Sequence, residues 1–113
     1  MLIYKIIPES LWQDALKSGV FEGAPVDLAD GFIHFSTGAQ VIETARKHFH
    51  GQANLLLLTL DDQSLGEHLI YEPSRGGDLF PHLYGPLHVS AVKSVDPLPL
   101  NENGTHHFEG LLP

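Results

Sequence analysis

Asn54-Leu-Leu-Leu-Leu-Thr-Leu60 is the stretch whose reading decides the fold. A short unbroken apolar run, set between Gly51 and Asp61-Asp62, has the pattern of a central strand covered on both faces. Such a strand needs a layer on each side, so the flanking sequence must supply partner strands and amphipathic helices. Upstream, Leu2–Ile7 is β-rich and stops at Pro8, as a first strand does. Glu9–Gly19 carries Leu11, Trp12, Ala15 and Leu16 at helical spacing, with Gly19 as a left-handed C-terminal stop. Residues 20–30, with Gly23, Pro25 and Asp30-Gly31, read as an irregular acidic connection.

Gly31–Thr37 reads as a strand leading directly into a second helix, from about Gly38 to Phe49. Val41, Ile42, Ala45 and Phe49 share one face of that helix, and Thr37 with Gln40 has capping-box spacing. Downstream of the central run, Leu69–Glu72 is another short strand, and Leu87–Val95 alternates like a last core strand. From Asp96 onward the composition turns to loop and tail. The pattern predicts an α+β fold with a mixed sheet of about five or more strands and two main helices. One small domain over residues 1–98 and a C-terminal tail over 99–113 account for the chain.

Composition narrows the function. Of 113 residues, 42% are hydrophobic and 18% charged, which suits one globular domain. The formal charge is −8, and the six bases are scattered. A basic stripe that would neutralise nucleic-acid phosphates is missing, so broad nucleic-acid binding is disfavoured, although a few bases in a pocket still suit one small anion. The absence of cysteine excludes disulfides, thiolate metal sites and cysteine nucleophiles. No segment approaches the roughly 20 apolar residues that span a bilayer. The expected location is the cytoplasm, with no membrane partner.

Chemistry concentrates in two places. In an extended Gly31–Thr37, His34 and Ser36 point to one side, at a helix N-terminus whose free N–H groups favour an anion. Thr37 caps that helix, contacts a ligand, or does both. The second place is Tyr71-Glu-Pro-Ser-Arg-Gly-Gly77 with Phe80-Pro-His-Leu-Tyr-Gly85. Pro73 keeps Glu72 extended, and His82 and Tyr84 share a side. Glu72 and Arg75 either brace a turn as an ion pair or hold a sugar hydroxyl and a phosphate. His34, Ser36, Glu72, Arg75, His82 and Tyr84 come from separated segments, as a pocket requires. A set of two histidines and one carboxylate, His34, His82 and Glu72, also has the composition of a facial metal site. His48 and His50 end the second helix on different faces, His68 and His88 read as surface positions, and His106-His107 as a solvated tail.

Asp30-Gly-Phe-Ile-His-Phe-Ser-Thr37, Gln40, and Tyr71–Gly77 with Phe80–Gly85, together with Trp12 and the apolar central strand, closely resemble the hallmarks of a bacterial family called domain of unknown function 952, over roughly residues 1 to 98. More remotely, that family resembles the ADP-ribosyltransferase fold, including RNA 2′-phosphotransferases. The resemblance implies a split β-sheet that grips NAD in a cleft between its halves. It implies that His34 with Ser36-Thr37 holds the adenosine ribose, that Tyr71 or Tyr84 stacks on nicotinamide, and that Glu72 stands near the reacting ribose. His34 and Glu72 are then the catalytic candidates. Ser36, Thr37, Tyr71, Arg75, His82 and Tyr84 are the ligand-binding ones, no metal is required, and NAD is the possible cofactor. The expected ligand is a small anionic or nucleotide-like molecule, in an ADP-ribosyl- or NAD-directed transferase or hydrolase. The alternatives are a non-catalytic binding module, or the His/Glu metal site.

Overall fold

A computed structural model describes residues 1–113, with the side chain of Arg75 excepted. The strands are β1 (Leu2–Pro8), β2 (Val20–Phe21), β3 (Ile33–His34), β4 (Ser36–Thr37), β5 (Leu55–Asp61), β6 (Leu69–Pro73), β7 (Leu79–Leu83), β8 (Leu87–His88) and β9 (Ser94–Leu98). The helices are α1 (Glu9–Ser18), α2 (Pro25–Asp30) and α3 (Val41–His48), and short 3-10 turns fill three of the connections. The α+β architecture expected from the sequence is present.

The apolar run is indeed central. β5 lies between β1 and β9 in a four-stranded sheet of order β4-β1-β5-β9. Its two faces enter two different cores. Leu58 and Leu60 pack with Ile3, Ile7, Trp12, Phe21, Ile33 and Leu83. Leu55 and Leu57 pack with Tyr4, Ile6, Val41, Ala45 and Phe108. A strand buried this way cannot alternate apolar with polar residues, because neither face meets water.

A three-stranded sheet, β3-β7-β6, and the β2-β8 pair complete the fold. Every strand pairing among the described residues is antiparallel, which corrects the mixed sheet inferred from sequence. Hydrophobic pattern records burial and not strand direction, so it is silent on this point. Gly31–Thr37 is not one strand. β3 belongs to the three-stranded sheet and β4 to the four-stranded one, and between them the Phe35 N–H donates to the Pro81 carbonyl at 3.0 Å. The chain thus changes sheets inside one short motif. β4 pairs with β1 only at Ile3 and Tyr4, so the β1 edge beyond Tyr4 is left open.

Other departures are local. Residues 25–30 form α2, with Pro25 in its first turn and Gly31 closing it at φ +85°. These are ordinary helix start and stop signals, carried on a helix too short to display a periodicity. The span expected as one last strand, Leu87–Val95, divides into β8, a 3-10 turn and the start of β9. Residues 99–113 are not a solvated tail: His106 and Phe108 are buried, and Leu111 and Leu112 pack on the second core. No helix among the described residues is long and apolar enough to cross a membrane.

Candidate functional site

The centre of the site is the pairing of β3 with β7. Ile33 opposes Leu83 and His34 opposes His82. Since side chains alternate across a strand, the first pair enters the core and the second lies on the other face beside Phe32, with His82 buried and His34 partly exposed. The Phe32 ring stacks on His82 at 4.1 Å between centroids and lies 4.7 Å from His34 and 5.2 Å from Tyr84. The two imidazoles are 5.6 Å apart, edge to face. Two motifs far apart in sequence therefore supply one aromatic cluster.

Each imidazole has its own carboxylate. His82 Nδ1 lies 2.8 Å from Glu72 Oε1, which also accepts the Tyr84 hydroxyl at 2.7 Å. Glu72 and His82 share a face of the β6-β7 hairpin, in which Glu72 opposes Phe80 and Ile70 opposes His82. The hydrogen bond from Tyr84, and then that from His82, hold the Glu72 carboxyl below the usual carboxylate range. His34 Nδ1 lies 2.6 Å from Asp27 Oδ1, and its Nε2 lies 2.9 Å from Asp30 Oδ2.

Asp27 anchors this arrangement from below. It is 1% exposed and collects four donors: the Ala24 N–H at 2.7 Å, the His34 N–H at 3.1 Å, His34 Nδ1, and the Lys5 ammonium. Lys5 lies in the middle of β1, is itself buried, approaches Asp27 Oδ2 to 3.2 Å and donates to the His34 carbonyl at 2.9 Å. Burial pushes the Asp27 carboxyl up. The bond from His34, the Lys5 charge and the two backbone N–H groups outweigh it and hold the group at about 2. Burial lowers the Lys5 ammonium against the pull of Asp27. The two directions agree with the geometry, because Lys5 has one carboxylate for company and Asp27 has four donors.

A pH dependence follows. The folded value of Asp27 lies below the ordinary aspartate value of about 3.9. Its contribution to stability is therefore complete above about pH 4 and is lost as the pH falls toward 2. A lowering of that size corresponds to about 2.5 kcal/mol. Urea unfolding at neutral pH and near pH 2.5 should show this loss in the wild-type chain and a smaller one in Asp27→Asn. An equal loss in both proteins would assign the acid sensitivity to other carboxylates.

Next to these groups is a cleft of about 510 Å³ at the place where the two sheets part. It is walled by β1 at Tyr4–Ile6, by His34 and Ser36, by Thr44 and His48 of α3 and Phe49 just after it, and by Phe80 and His82. Ser36 is buried and its hydroxyl is 2.8 Å from that of Thr44. The volume and the mixture of aromatic walls with a few polar groups are typical of sites for small molecules.

The structure brings His34, Ser36, Glu72, His82 and Tyr84 into one neighbourhood. His34, Ser36 and His82 line the cleft itself, while Glu72 and Tyr84 stand behind His82. Three expectations are corrected. Thr37 does not cap α3 with its side chain: the Gln40 half of the capping box is present, its amide oxygen accepting the Thr37 N–H at 3.0 Å, but the helix begins only at Val41. The anion seat drawn at a strand–helix junction is therefore replaced by a turn. Tyr71 points to the opposite side of β6 from Glu72 and donates to Asp62 at 2.8 Å. Burial, and then that bond, push its hydroxyl up to about 12. It is no stacking partner for a ligand in the cleft. His34, His82 and Glu72 do not converge as metal ligands, and no group of three such side chains among the described residues is arranged to hold a metal ion. The Arg75 side chain, expected to hold phosphate, lies outside the described residues. Asp30 and Phe32 lie within the motif that carries the family resemblance but had no role in the sequence reading, and Asp27, Lys5 and Thr44 were not singled out from sequence.

Comparison with known proteins places these residues in context. The family described as "Protein of unknown function (DUF952)" matches residues 6–95. The crystal structure of protein CC0527 from Caulobacter crescentus is 53% identical over 96% of this chain and 95% of that chain, with a TM-score of 0.93. The solution NMR structure of CC0527 is 52% identical over 98% and 96%, with a TM-score of 0.88. No curated protein matches the chain.

Proposed function

The chain belongs to the family described as "Protein of unknown function (DUF952)", and from that premise we propose that its cleft binds a small nucleotide-like molecule with an anionic part. One observation carries this reading: His34 and Ser36, on one continuous segment, and His82, on the neighbouring strand, open into a single cleft between two sheets. Aromatic side chains at Tyr4, Phe35, Phe49 and Phe80 offer walls for a base. The imidazoles and the Ser36 and Thr44 hydroxyls suit ribose and phosphate oxygens.

NAD and ADP-ribose are the first ligands to test, with an ADP-ribosyl- or NAD-directed transferase or hydrolase as the activity. The place of the cleft, at the split between sheets, supports this choice, since the fold that the sequence resembles grips NAD there. In this reading His34 and Ser36 hold ribose. The ionised Glu72 behind His82 favours the positive charge that builds on the sugar as nicotinamide departs.

Titration calorimetry with NAD, ADP-ribose and AMP tests binding, and release of nicotinamide tests turnover. Binding without release makes the protein a ligand-binding module. If none of the three raises the melting temperature at millimolar concentration, the nucleotide reading is wrong.

A further inference from the structure

The two imidazoles of the cleft are held in different ways, and the difference has chemical content. His82 has one carboxylate, Glu72, at Nδ1. A proton on Nδ1, directed at Glu72, leaves Nε2 as the unprotonated basic nitrogen, and Nε2 has no hydrogen-bond partner among the described residues. His34 has a carboxylate at each nitrogen, Asp27 and Asp30. Both of its nitrogens are therefore placed to direct an N–H at a carboxylate. The inner partner, Asp27, is buried and fixed by Lys5 and backbone, whereas the outer partner, Asp30, is 48% exposed. A substrate oxygen at the cleft mouth can replace Asp30 without disturbing Asp27.

We propose that His82 and His34 act as the general base and general acid of a phosphodiester hydrolysis in which the leaving group is a ribose hydroxyl. The substrate class is a small cyclic phosphodiester of a ribonucleoside. This rests on the reading above that the cleft takes a nucleotide-like ligand. In the step, water attacks phosphorus and forms the new P–O bond as it gives a proton to His82 Nε2. The P–O bond to the ribose oxygen breaks as His34 Nε2 gives that oxygen its proton. The product is a nucleoside monophosphate, and the two imidazoles return to their starting states by exchanging protons with solvent. The two rings stand edge to face with centroids 5.6 Å apart, so both stand beside any one small ligand in the cleft.

The leaving group is what gives a pair of imidazoles a use in this step. Nicotinamide departs from NAD as a neutral base, and a pyrophosphate bond releases a stabilised phosphate anion. Neither needs a proton donor opposite the base. A ribose alkoxide is a poor leaving group and does need one. The scattered bases and net charge of −8 disfavour a long RNA strand, which restricts the substrate to a mononucleotide. Glu72 is a positioning residue here, acting through His82.

The test is hydrolysis of adenosine 2′,3′-cyclic phosphate by the full chain, followed by phosphorus NMR, with binding of adenosine 3′-monophosphate measured separately by calorimetry. The expected result is turnover with a bell-shaped pH–rate profile in the wild-type protein. A fall in kcat of about 10²–10⁴ is expected in His82→Asn and in His34→Gln. Glu72→Gln should lower kcat with KM unchanged, which a purely structural role would not produce. Melting curves identify any variant that fails to fold, and the wild-type profile does not depend on them. Monophosphate binding without turnover of the cyclic substrate overturns the acid–base assignment and leaves the ligand reading intact. Undiminished turnover in folded His82→Asn also overturns it. No binding of monophosphate or cyclic phosphate removes both.

Discussion

Asp27→Ala is expected to lower the unfolding free energy by about 3–5 kcal/mol, the range for removing one partner of a buried ion pair. The substitution leaves the Lys5 ammonium in the interior with only the His34 carbonyl as acceptor. It also orphans the N–H groups of Ala24 and His34, both of which now donate to Asp27. Lys5→Met should cost clearly less, because Asp27 then keeps its three other donors and the methionine fills the space with apolar atoms. Chemical denaturation of the two variants at neutral pH measures the asymmetry. A loss below about 1 kcal/mol in Asp27→Ala, or a larger loss in Lys5→Met, would mean that the pair does not organise this region. The same variant frees the His34 ring, so its ligand affinity should fall more than that of Lys5→Met.

Phe108→Ala is expected to cost about 3 kcal/mol, at the low end of the range for truncating a buried aromatic. Phe108 lies beyond the last sheet strand, yet it is 8% exposed and packs against the face of β1 and β5 that α3 also covers. Leu111 and Leu112 join it there, and His106 Nε2 is 2.8 Å from the Gln52 carbonyl, which ties the segment to the loop before β5. Urea unfolding reads the loss directly. A value under about 1 kcal/mol would return residues 99–113 to the role of a loosely held tail. Because α3 shares that core and also walls the cleft, looser packing there should reach Thr44 and His48 as well.

Much of the fold was legible because burial leaves a periodic trace. Leu55–Leu60 had to be covered on both sides, and the two cores on either side of β5 are that cover. Trp12 and Ala15 announced the buried stripe of α1, as Val41 and Ala45 did for α3. What was illegible was short. α2 has six residues, less than two turns, and β3 and β4 have two each. Elements of that length carry no period, and tertiary contacts define them. The tail was misread because Pro97, Pro99 and Asn101–Gly104 do signal turns. The apolar Phe108, Leu111 and Leu112 that follow are too few to declare an element, although they are enough to dock one.

The site divides in the same way. Its residue types were visible: His34, Ser36, Glu72, His82 and Tyr84 stood out because polar and aromatic groups in Gly- and Pro-rich backbone call for a reason. Their arrangement was not visible. Thr37 and Tyr71 sat in the same motifs and point elsewhere, since alternation along a strand puts adjacent residues on opposite faces and the change of sheet at Phe35 resets which face that is. Lys5 looked like one base among six, and Asp27 like one acid among many. By itself the sequence determined the central strand, the α+β class and the stock of chemical groups, because these follow from local pattern and composition. The tertiary structure alone decided that Lys5 meets Asp27, that His34 faces His82, and that each imidazole has its own carboxylate. Those are contacts between distant segments, and their energies come from pairing buried polar groups that no local period records.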